Sequence, residues 1–182
     1  MLLAISNTLR TYLTNAIPNT VADWVEVGAF QQDTPPVLPT KNHLVVFLYG
    51  VEEAAHLRNR PLEPTNDGFR APPLALTLHY LITYISASAA DVQDWLSRVL
   101  QAFYTKPRLG PAELDPALAG RVDHLAIRLQ AMSPDEIQKL WTALSMGMRL
   151  SLYYQVDAAF VPKTEQDIVP AVTERRFAGV SP

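Results

Sequence analysis

The chain has 182 residues, of which 48% are hydrophobic and 18% are charged. This balance excludes a disordered protein, and the length predicts a single domain. The net charge of −3 at pH 7 lacks the basic excess of a dedicated nucleic-acid binder, and the absence of cysteine excludes disulfides and thiolate sites. Fifteen prolines against seven glycines predict rigid, extended connections between the elements.

The N-terminal segment predicts a helix. Ile5, Leu9 and Leu13 recur at helical spacing within residues 2–16, and Pro18 ends the pattern. Polar residues interrupt the apolar start too early for a signal peptide, and no stretch reaches the ~18 apolar residues of a transmembrane helix. We therefore expect cytoplasmic synthesis and no membrane span.

The next region predicts two strands and two long connections. Residues 23–29 have the pattern of a short strand, and residues 30–42 that of a proline-rich extended loop. Residues 43–51 are apolar on both faces, as is typical of a central strand. Residues 52–72 are polar, contain an Asn-Asp-Gly turn signal, and predict a long functional loop or an arm-like hairpin.

The middle of the chain predicts a long strand, a helix and an irregular strand. Residues 89–105 carry an apolar helical stripe with Ser88 as the N-cap, and residues 106–120 form a loop. Residues 121–130 predict a strand whose alternation slips once, as at a β-bulge. Residues 73–86 alternate, and one strongly apolar face would carry Leu74, Leu76, Leu78, Tyr80, Ile82 and Tyr84.

The clearest local signal is a capped helix over residues 134–145. Ser133 and Glu136 predict a capping box around Pro134, and Gly147 is placed to end the helix. A strand is then predicted over residues 148–157, and its inward positions would be Met148, Leu150, Leu152, Tyr154 and Val156.

The last segment differs in character from the rest. Residues 162–182 hold two isolated apolar spots among polar residues and could not pack a core alone. The sequence therefore predicts one domain over residues 1–161 and an extended C-terminal tail or arm over residues 162–182. The fold class is α+β, with a mixed, mainly antiparallel sheet packed by about three helices.

No recognisable catalytic, cofactor or metal motif is present. The four histidines are scattered, and the Glu52-Glu53 pair is interpreted as a solvated turn rather than a carboxylate dyad. His79, within a predicted strand, is the best single candidate for chemistry, with a hydrogen-bonded sheet histidine as the simpler interpretation. A small-molecule enzyme using His79 or Tyr80 in a pocket on the sheet stays an alternative. The residues favour a protein that is not an enzyme and has no cofactor.

Three segments carry a resemblance to a known family. They are LVVFLYGVEEAAHLRN (44–59), PPLALTLHYLITYIS (72–86) and MSPDEIQKLWTALSMGMRLSLYYQV (132–156), in this order. Together they resemble the N-terminal domain of the tail-cap proteins of extracellular contractile injection systems of the antifeeding-prophage type. The resemblance covers roughly residues 2–160. Its matching positions are Leu48, Tyr49, Leu57, Arg58, Asn59, Pro72, Pro73, Leu74, Leu78, Tyr80, Leu81, Thr83, Leu140, Trp141, Ser151 and Tyr154.

The resemblance implies a phage tail-terminator-like fold and a structural cap protein without catalysis. Such a protein forms a ring, expected to be a hexamer, that terminates the inner tube and the contractile sheath. The implied partners are copies of the chain, the tube protein and the sheath protein, within a particle that is released or stays intracellular. Some family members carry a further β-rich domain, in whose place this sequence has only the short tail.

An adaptor of another phage-derived particle, similar to a head–tail connector, is the alternative to a cap. Fold alone does not separate the two functions, whereas neighbouring genes for sheath, tube and baseplate proteins would.

The predicted contacts with neighbouring subunits, tube or sheath lie in the loop and the tail. Arginine forks suit carboxylates and backbone oxygens at an interface, and an extended tail can add a strand to a neighbouring sheet edge. Solvated loop charges and a frayed terminus are the alternatives. The candidate interface residues are Arg58, Asn59, Arg60, Arg70, Ile168, Val169, Arg175, Arg176 and Phe177.

Overall fold

The computed structural model of the chain describes residues 1–18, 23–28, 41–54, 63–65, 68–70, 73–161 and 168–169. Within these ranges it has three α-helices, nine strands and one short 3-10 turn. The helices are α1 (Leu2–Ala16), α2 (Ala89–Thr105) and α3 (Pro134–Ala143), and the 3-10 turn is Pro116–Leu118. The strands are β1 (Val25–Val27), β2 (His43–Glu53), β3 (Glu63–Thr65), β4 (Gly68–Arg70), β5 (Leu74–Ile85), β6 (Arg108–Leu109), β7 (Val122–Leu129), β8 (Ser151–Phe160) and β9 (Ile168–Val169).

The strands form two sheets. The main sheet has six strands in the order β1-β2-β5-β8-β7-β6, and the small sheet has three in the order β3-β4-β9. β1 is parallel to β2, and every other neighbouring pair in the two sheets is antiparallel. The predicted α+β class with a mixed, mainly antiparallel sheet and three helices is therefore confirmed.

One face of the main sheet carries the principal core, and we call it the closed face. The predicted alternation of β5 is confirmed, since Leu78, Tyr80, Ile82 and Tyr84 all belong to this core. The helices that cover this face contribute Ile5, Leu9 and Leu13 from α1, and Leu96, Val99 and Phe103 from α2.

Polar side chains on α1 fix this helix to three neighbours. The hydroxyls of Ser6 and Tyr80 lie 2.8 Å apart in the core. Thr8 Oγ1 donates to the carbonyl oxygen of its own turn at 2.9 Å and accepts from the backbone N–H of Asp115 at 2.9 Å. Tyr12 donates to the Ala102 carbonyl oxygen at 2.8 Å. Because these groups are paired, the cost of burying them is offset.

α3 packs on the opposite face of the main sheet. A smaller cluster centres on Leu81, Trp141 and Tyr153, and the indole Nε1 of Trp141 donates to the Tyr153 hydroxyl at 3.0 Å. The predicted capping box at the start of α3 is confirmed. Ser133 Oγ accepts from the backbone N–H of Glu136 at 3.3 Å, and a Glu136 carboxylate oxygen accepts from the backbone N–H of Ser133 at 2.8 Å.

The end of α3 and the start of β8 differ from the prediction. α3 ends at Ala143, and Ser145, not Gly147, has the left-handed φ of 55° that turns the chain. β8 begins at Ser151, so the inward placement predicted for Met148 and Leu150 is wrong: they are 70% and 55% exposed. The reason is that β5 pairs with β8 only from Ser151 onward, which leaves the preceding residues without a sheet to pack on.

The remaining predictions agree more closely with the structure. β2 lies between β1 and β5, as expected for a strand that is apolar on both faces, and extends to Glu53. The predicted bulge in β7 is confirmed between Val122 and Leu125. The loop predicted over residues 106–120 contains β6 and the 3-10 turn. Most of the loop predicted over residues 30–42 lies outside the described residues.

Candidate functional site

The two predicted extensions leave the main sheet at one end. β2 ends where β5 begins, with the backbone N–H of Ala54 donating to the Ala75 carbonyl oxygen at 2.9 Å. The first residue of β5, Leu74, pairs with the last residue of β8, Phe160. The hairpin segment and the tail therefore start from neighbouring strands.

The extensions also meet each other. Of the two alternatives predicted for residues 52–72, a long loop or an arm-like hairpin, the described part shows a hairpin, because β3 and β4 pair antiparallel. β9 of the tail pairs with β4. Phe69 opposes Val169, and Arg70 opposes Ile168. Three predicted interface residues, Arg70, Ile168 and Val169, are thus brought together in the small sheet. The other six, Arg58, Asn59, Arg60, Arg175, Arg176 and Phe177, lie outside the described residues.

We call the end of the main sheet from which both extensions leave their common root. Beside it lies the part of the second sheet face that α3 does not cover. We call it the open half and define it by the residues around a depression of about 410 Å³. Five alanines contribute to its lining, and carboxylate, guanidinium and amide groups complete it. The lining residues are Ala54, Ala75, Leu76, Thr77, Asp123, His124, Ala126, Arg128, Gln155, Asp157, Ala158 and Ala159.

A polar network centred on Asp157 spans three strands of the open half. Its Oδ1 accepts from Thr77 Oγ1 at 2.8 Å and from Gln155 Nε2 at 3.3 Å, and its Oδ2 forms an ion pair with Arg128. Thr77 lies directly opposite Asp157 on β5, and Arg128 lies opposite Gln155 on β7. Such cross-strand pairs hold the carboxylate and the guanidinium in one orientation.

His79 lies next to this network, between it and the cluster under α3. Its Nδ1 lies 3.0 Å from Gln130 Oε1, its Nε2 lies 3.5 Å from a Glu52 carboxylate oxygen, and its ring lies 5.8 Å from that of Tyr49. The His79 side chain is 12% exposed and does not line the depression. This packing matches the simpler interpretation of a hydrogen-bonded sheet histidine.

Tyr80 lies on the other side of the sheet from His79. Consecutive residues of a strand point to opposite faces, so His79 and Tyr80 do not share a pocket. Tyr80 is fully buried against Ser6 in the closed face. Burial raises the pKa of Tyr80 from 10.0 to about 12, so it stays a neutral phenol at physiological pH.

The described residues form neither a metal site nor a membrane-spanning helix. Within the described ranges, histidine, aspartate and glutamate side chains nowhere gather in a group of three or more that could hold a metal ion. None of the helices formed by those residues has the length and apolarity needed to cross a bilayer.

Sequence reasoning missed the open half as a site. Its network joins Thr77 with Asp157, which are 80 positions apart, and no spacing rule connects such residues. One signal was present: the second face of β5 changes from Leu81 to His79, Thr77 and Ala75 toward one end. When the side chains on one face of a strand change from large and apolar to small or polar, the element that packs on that face is expected to end there.

One family model and two solved structures match this chain. The family model described as the Pvc16 N-terminal domain matches residues 4–175. No match is found among the curated proteins.

Two solved structures share the fold. One is the PVC sheath/tube terminator of an extracellular contractile injection system in the extended state, at 18% identity and a TM-score of 0.65, covering 100% of this chain and 64% of that one. The other is the tube-terminating cap of the anti-feeding prophage, at 21% identity and a TM-score of 0.55, covering 96% of this chain and 59% of that one. This chain thus spans about three fifths of the length of each, and the expected tail-terminator-like fold is confirmed.

Proposed function

This chain belongs to the Pvc16 N-terminal domain family, and from that premise we propose that it is a structural cap protein. Copies of it form a ring that terminates the inner tube and the contractile sheath of a phage-tail-like contractile injection particle. The single observation that carries this function is the family match over residues 4–175. It is supported by the names of the two similar structures, a sheath/tube terminator and a tube-terminating cap.

The proposed partners are copies of the chain, expected to form a hexamer, together with the tube protein and the sheath protein. The chain is made in the cytoplasm and becomes part of the assembled particle. A ring subunit needs a rigid body and contacts that repeat around a closed cycle. The closed face supplies the rigid body, and the extensions from one end of the main sheet supply candidate contacts.

We propose that residues 1–161 form the body and that residues 162–182 act as an arm toward a neighbouring subunit. The hairpin within residues 52–72 acts with this arm, since β4 and β9 pair. The proposed contact residues are the nine named from the sequence: Arg58, Asn59, Arg60, Arg70, Ile168, Val169, Arg175, Arg176 and Phe177.

The function is tested by deleting the gene that encodes the chain from a cluster that produces particles. We expect electron microscopy to show tubes and sheaths without a defined end, and complementation to restore uniform length. The purified protein, examined by mass photometry, should form a ring in the presence of tube ends. Particles of normal, defined length in the deletion strain would contradict a terminating role.

The role of the tail is tested by ending the chain after Val161. We expect a folded, soluble domain with an unchanged circular dichroism spectrum but weakened ring assembly. Arg98→Ala is the matched control, because Arg98 lies on α2 and pairs with Asp94 four residues earlier, away from the extensions. Loss of folding on truncation would place the tail in the core instead.

Gene context distinguishes the cap from an adaptor similar to a head–tail connector. Neighbouring genes for sheath, tube and baseplate proteins would support the cap. We propose no catalytic step. The packing of His79 against Tyr49 and Gln130, with Tyr80 on the opposite face, supports a structural protein rather than an enzyme.

A further inference from the structure

In the open half the surface of the main sheet is recessed, because no helix of the described residues packs on it and the side chains on its floor are small. Under α3 the second face of the sheet carries Leu81 and Tyr153, which pack against Trp141. Toward the root of the extensions, small side chains replace these large ones. Since an alanine side chain ends at Cβ, the floor lies lower there, and the depression of about 410 Å³ can accept a large side chain from outside. The alanines on this side are Ala54, Ala75, Ala126 and Ala159, whereas the side chain of Ala158 belongs to the core of the closed face.

The charge around this depression is mainly negative. Asp123 and Asp157 line it, and Glu52 lies directly opposite Thr77 at its margin, with a side chain that is 73% exposed. Arg128 is the only lysine or arginine among the described lining residues, and it is paired with Asp157. Three carboxylates against one guanidinium favour a cationic occupant, above all an arginine, whose planar fork suits carboxylates.

The chain itself contains a segment of matching chemistry. After Val169 the sequence continues for 13 residues, and these include Arg175-Arg176-Phe177, two cations followed by an aromatic ring. Thirteen extended residues reach up to ~43 Å. Crossing the four strands from β2 to β7 requires only about 14 Å. The segment is therefore long enough to cross the open half and to place both guanidinium groups and the ring there.

We propose that the open half of one copy binds residues 170–182 of a second copy. Arg175 and Arg176 pair with the carboxylates of Glu52 and Asp123, and Phe177 enters the alanine-lined depression. This inference rests on the proposed function of a ring subunit, and it names the surface that receives the arm.

Ring formation, which the proposed function requires, favours a second copy as the source of the occupant. The tail leaves its own main sheet at Phe160, beside the open half, and its next described residues pair with β4 in the small sheet. When each copy offers its segment to the next, every open half is filled, and the contact closes into a cycle without a free end.

The absence of cysteine allows a direct test by disulfide cross-linking. Full-length Ala159→Cys and Phe177→Cys proteins are prepared separately, mixed under ring-forming conditions and oxidised. We expect a covalent dimer on a non-reducing gel that is lost on reduction, because Ala159 lines the depression and is exposed. Gln93→Cys, at an exposed position on α2, replaces Ala159→Cys in the control for random collision. Equal cross-linking in the control mixture would overturn the inference.

The double variant Ala159→Cys/Phe177→Cys separates the two sources of the segment. Covalent oligomers from the double variant, together with covalent dimers from the mixture, support binding between copies. A monomeric disulfide in the double variant, with none in the mixture, shows that the segment folds back on its own chain and overturns the inference. No disulfide in either sample places Phe177 elsewhere and also overturns it.

A charge exchange tests the ionic part of the contact. Arg176→Glu and Glu52→Lys should each lower the yield of cross-linked dimer about fivefold to tenfold, and combining them should restore most of it. No rescue by the combination overturns the pairing of these two residues.

Electron microscopy of the same samples keeps this inference distinct from the proposed function. Rings that form without the cross-link contradict only the docking of the tail, whereas the absence of rings in the unaltered protein contradicts the cap itself.

Discussion

The two faces of the main sheet are built differently, although they share the same strands. The closed face is covered by α1 and α2 and carries a continuous core, including Tyr80 and Tyr154. The other face is covered by α3 over one part only, and its remainder keeps a polar network on a floor of alanines. The difference teaches that the two faces hold different kinds of surface: one carries a continuous core, and, among the described residues, part of the other is left uncovered by α3.

The same contrast appears along a single strand. On β5, Leu78 and Leu81 are both fully buried, but Leu78 faces the large core and Leu81 faces the small cluster under α3. Further toward the start of β5, Thr77 uses its hydroxyl to hold Asp157 rather than to fill a core.

The largest effect is expected from shortening the leucine of the closed face. Leu78→Ala should lower the free energy of unfolding by about 2–5 kcal/mol, because the surrounding core cannot collapse around the cavity. Leu81→Ala should cost less, since the smaller cluster under α3 can close around the gap. Urea denaturation of both variants measures the difference. An equal or greater loss for Leu81→Ala would break the contrast between the faces.

The second prediction concerns alkaline pH and the tyrosines of the closed face. Burial raises the pKa of Tyr80 from 10.0 to about 12, so the folded state disfavours the phenolate. This contribution is fully present below pH 10 and is lost as the pH rises toward 12, a loss of about 2–3 kcal/mol for Tyr80. Denaturation curves at pH 9 to 12 should show it, with a weaker pH dependence for Tyr80→Phe.

Tyr154 provides a second, independent test of the same effect. Burial raises its pKa to about 12 as well, in the same core but without the Ser6 partner that Tyr80 has. Tyr154→Phe should therefore remove a comparable part of the alkaline loss. An unchanged pH profile in both variants would contradict the assignment of the loss to these buried tyrosines.

A smaller effect is expected at the start of α3. Ser133→Ala removes the side-chain acceptor of the capping box and should lower the free energy of unfolding by about 1 kcal/mol. Thermal unfolding followed by circular dichroism measures this. Ser97→Ala, on the exposed surface of α2, is the control and should change stability less. Equal losses of stability in the two variants would show that the capping box does not stabilise α3.

The smallest effect is expected in the open half. Arg128→Ala removes the ion pair with Asp157, but the Arg128 side chain is 63% exposed, and such pairs contribute about 0–1 kcal/mol. The melting temperature should therefore stay close to that of the unaltered chain. A loss in free energy of unfolding as large as that of Leu78→Ala would show that the open half belongs to the stabilising core.

Local patterns predicted most of the fold from the residues alone. The helix over residues 2–16, the alternation of β5 and the capping box at Ser133 depend on neighbours within a few positions, and all three are confirmed. The inward placement of Met148 and Leu150 was wrong, because alternation continues in the sequence after the partner strand has ended. Periodicity shows which residues share a face but not how far that face is covered.

The candidate site shows the same limit. Sequence reasoning named arginines of the hairpin and the tail from their chemistry and identified the family from three ordered segments. It did not reveal that β4 and β9 pair, or that Thr77, Arg128 and Asp157 meet beside the root of both extensions. These residues come from distant parts of the chain, and no short-range signal joins them.

The sequence by itself determined the class of the fold, the main helices and strands, and the absence of thiol chemistry, because each depends on residue type and spacing along the chain. Only the tertiary structure decided that one sheet face is closed by two helices while the other is covered in part by one. That outcome depends on strand order and register, which bring Ala75, Thr77, Asp157 and Ala159 together through backbone hydrogen bonds between residues some 80 positions apart.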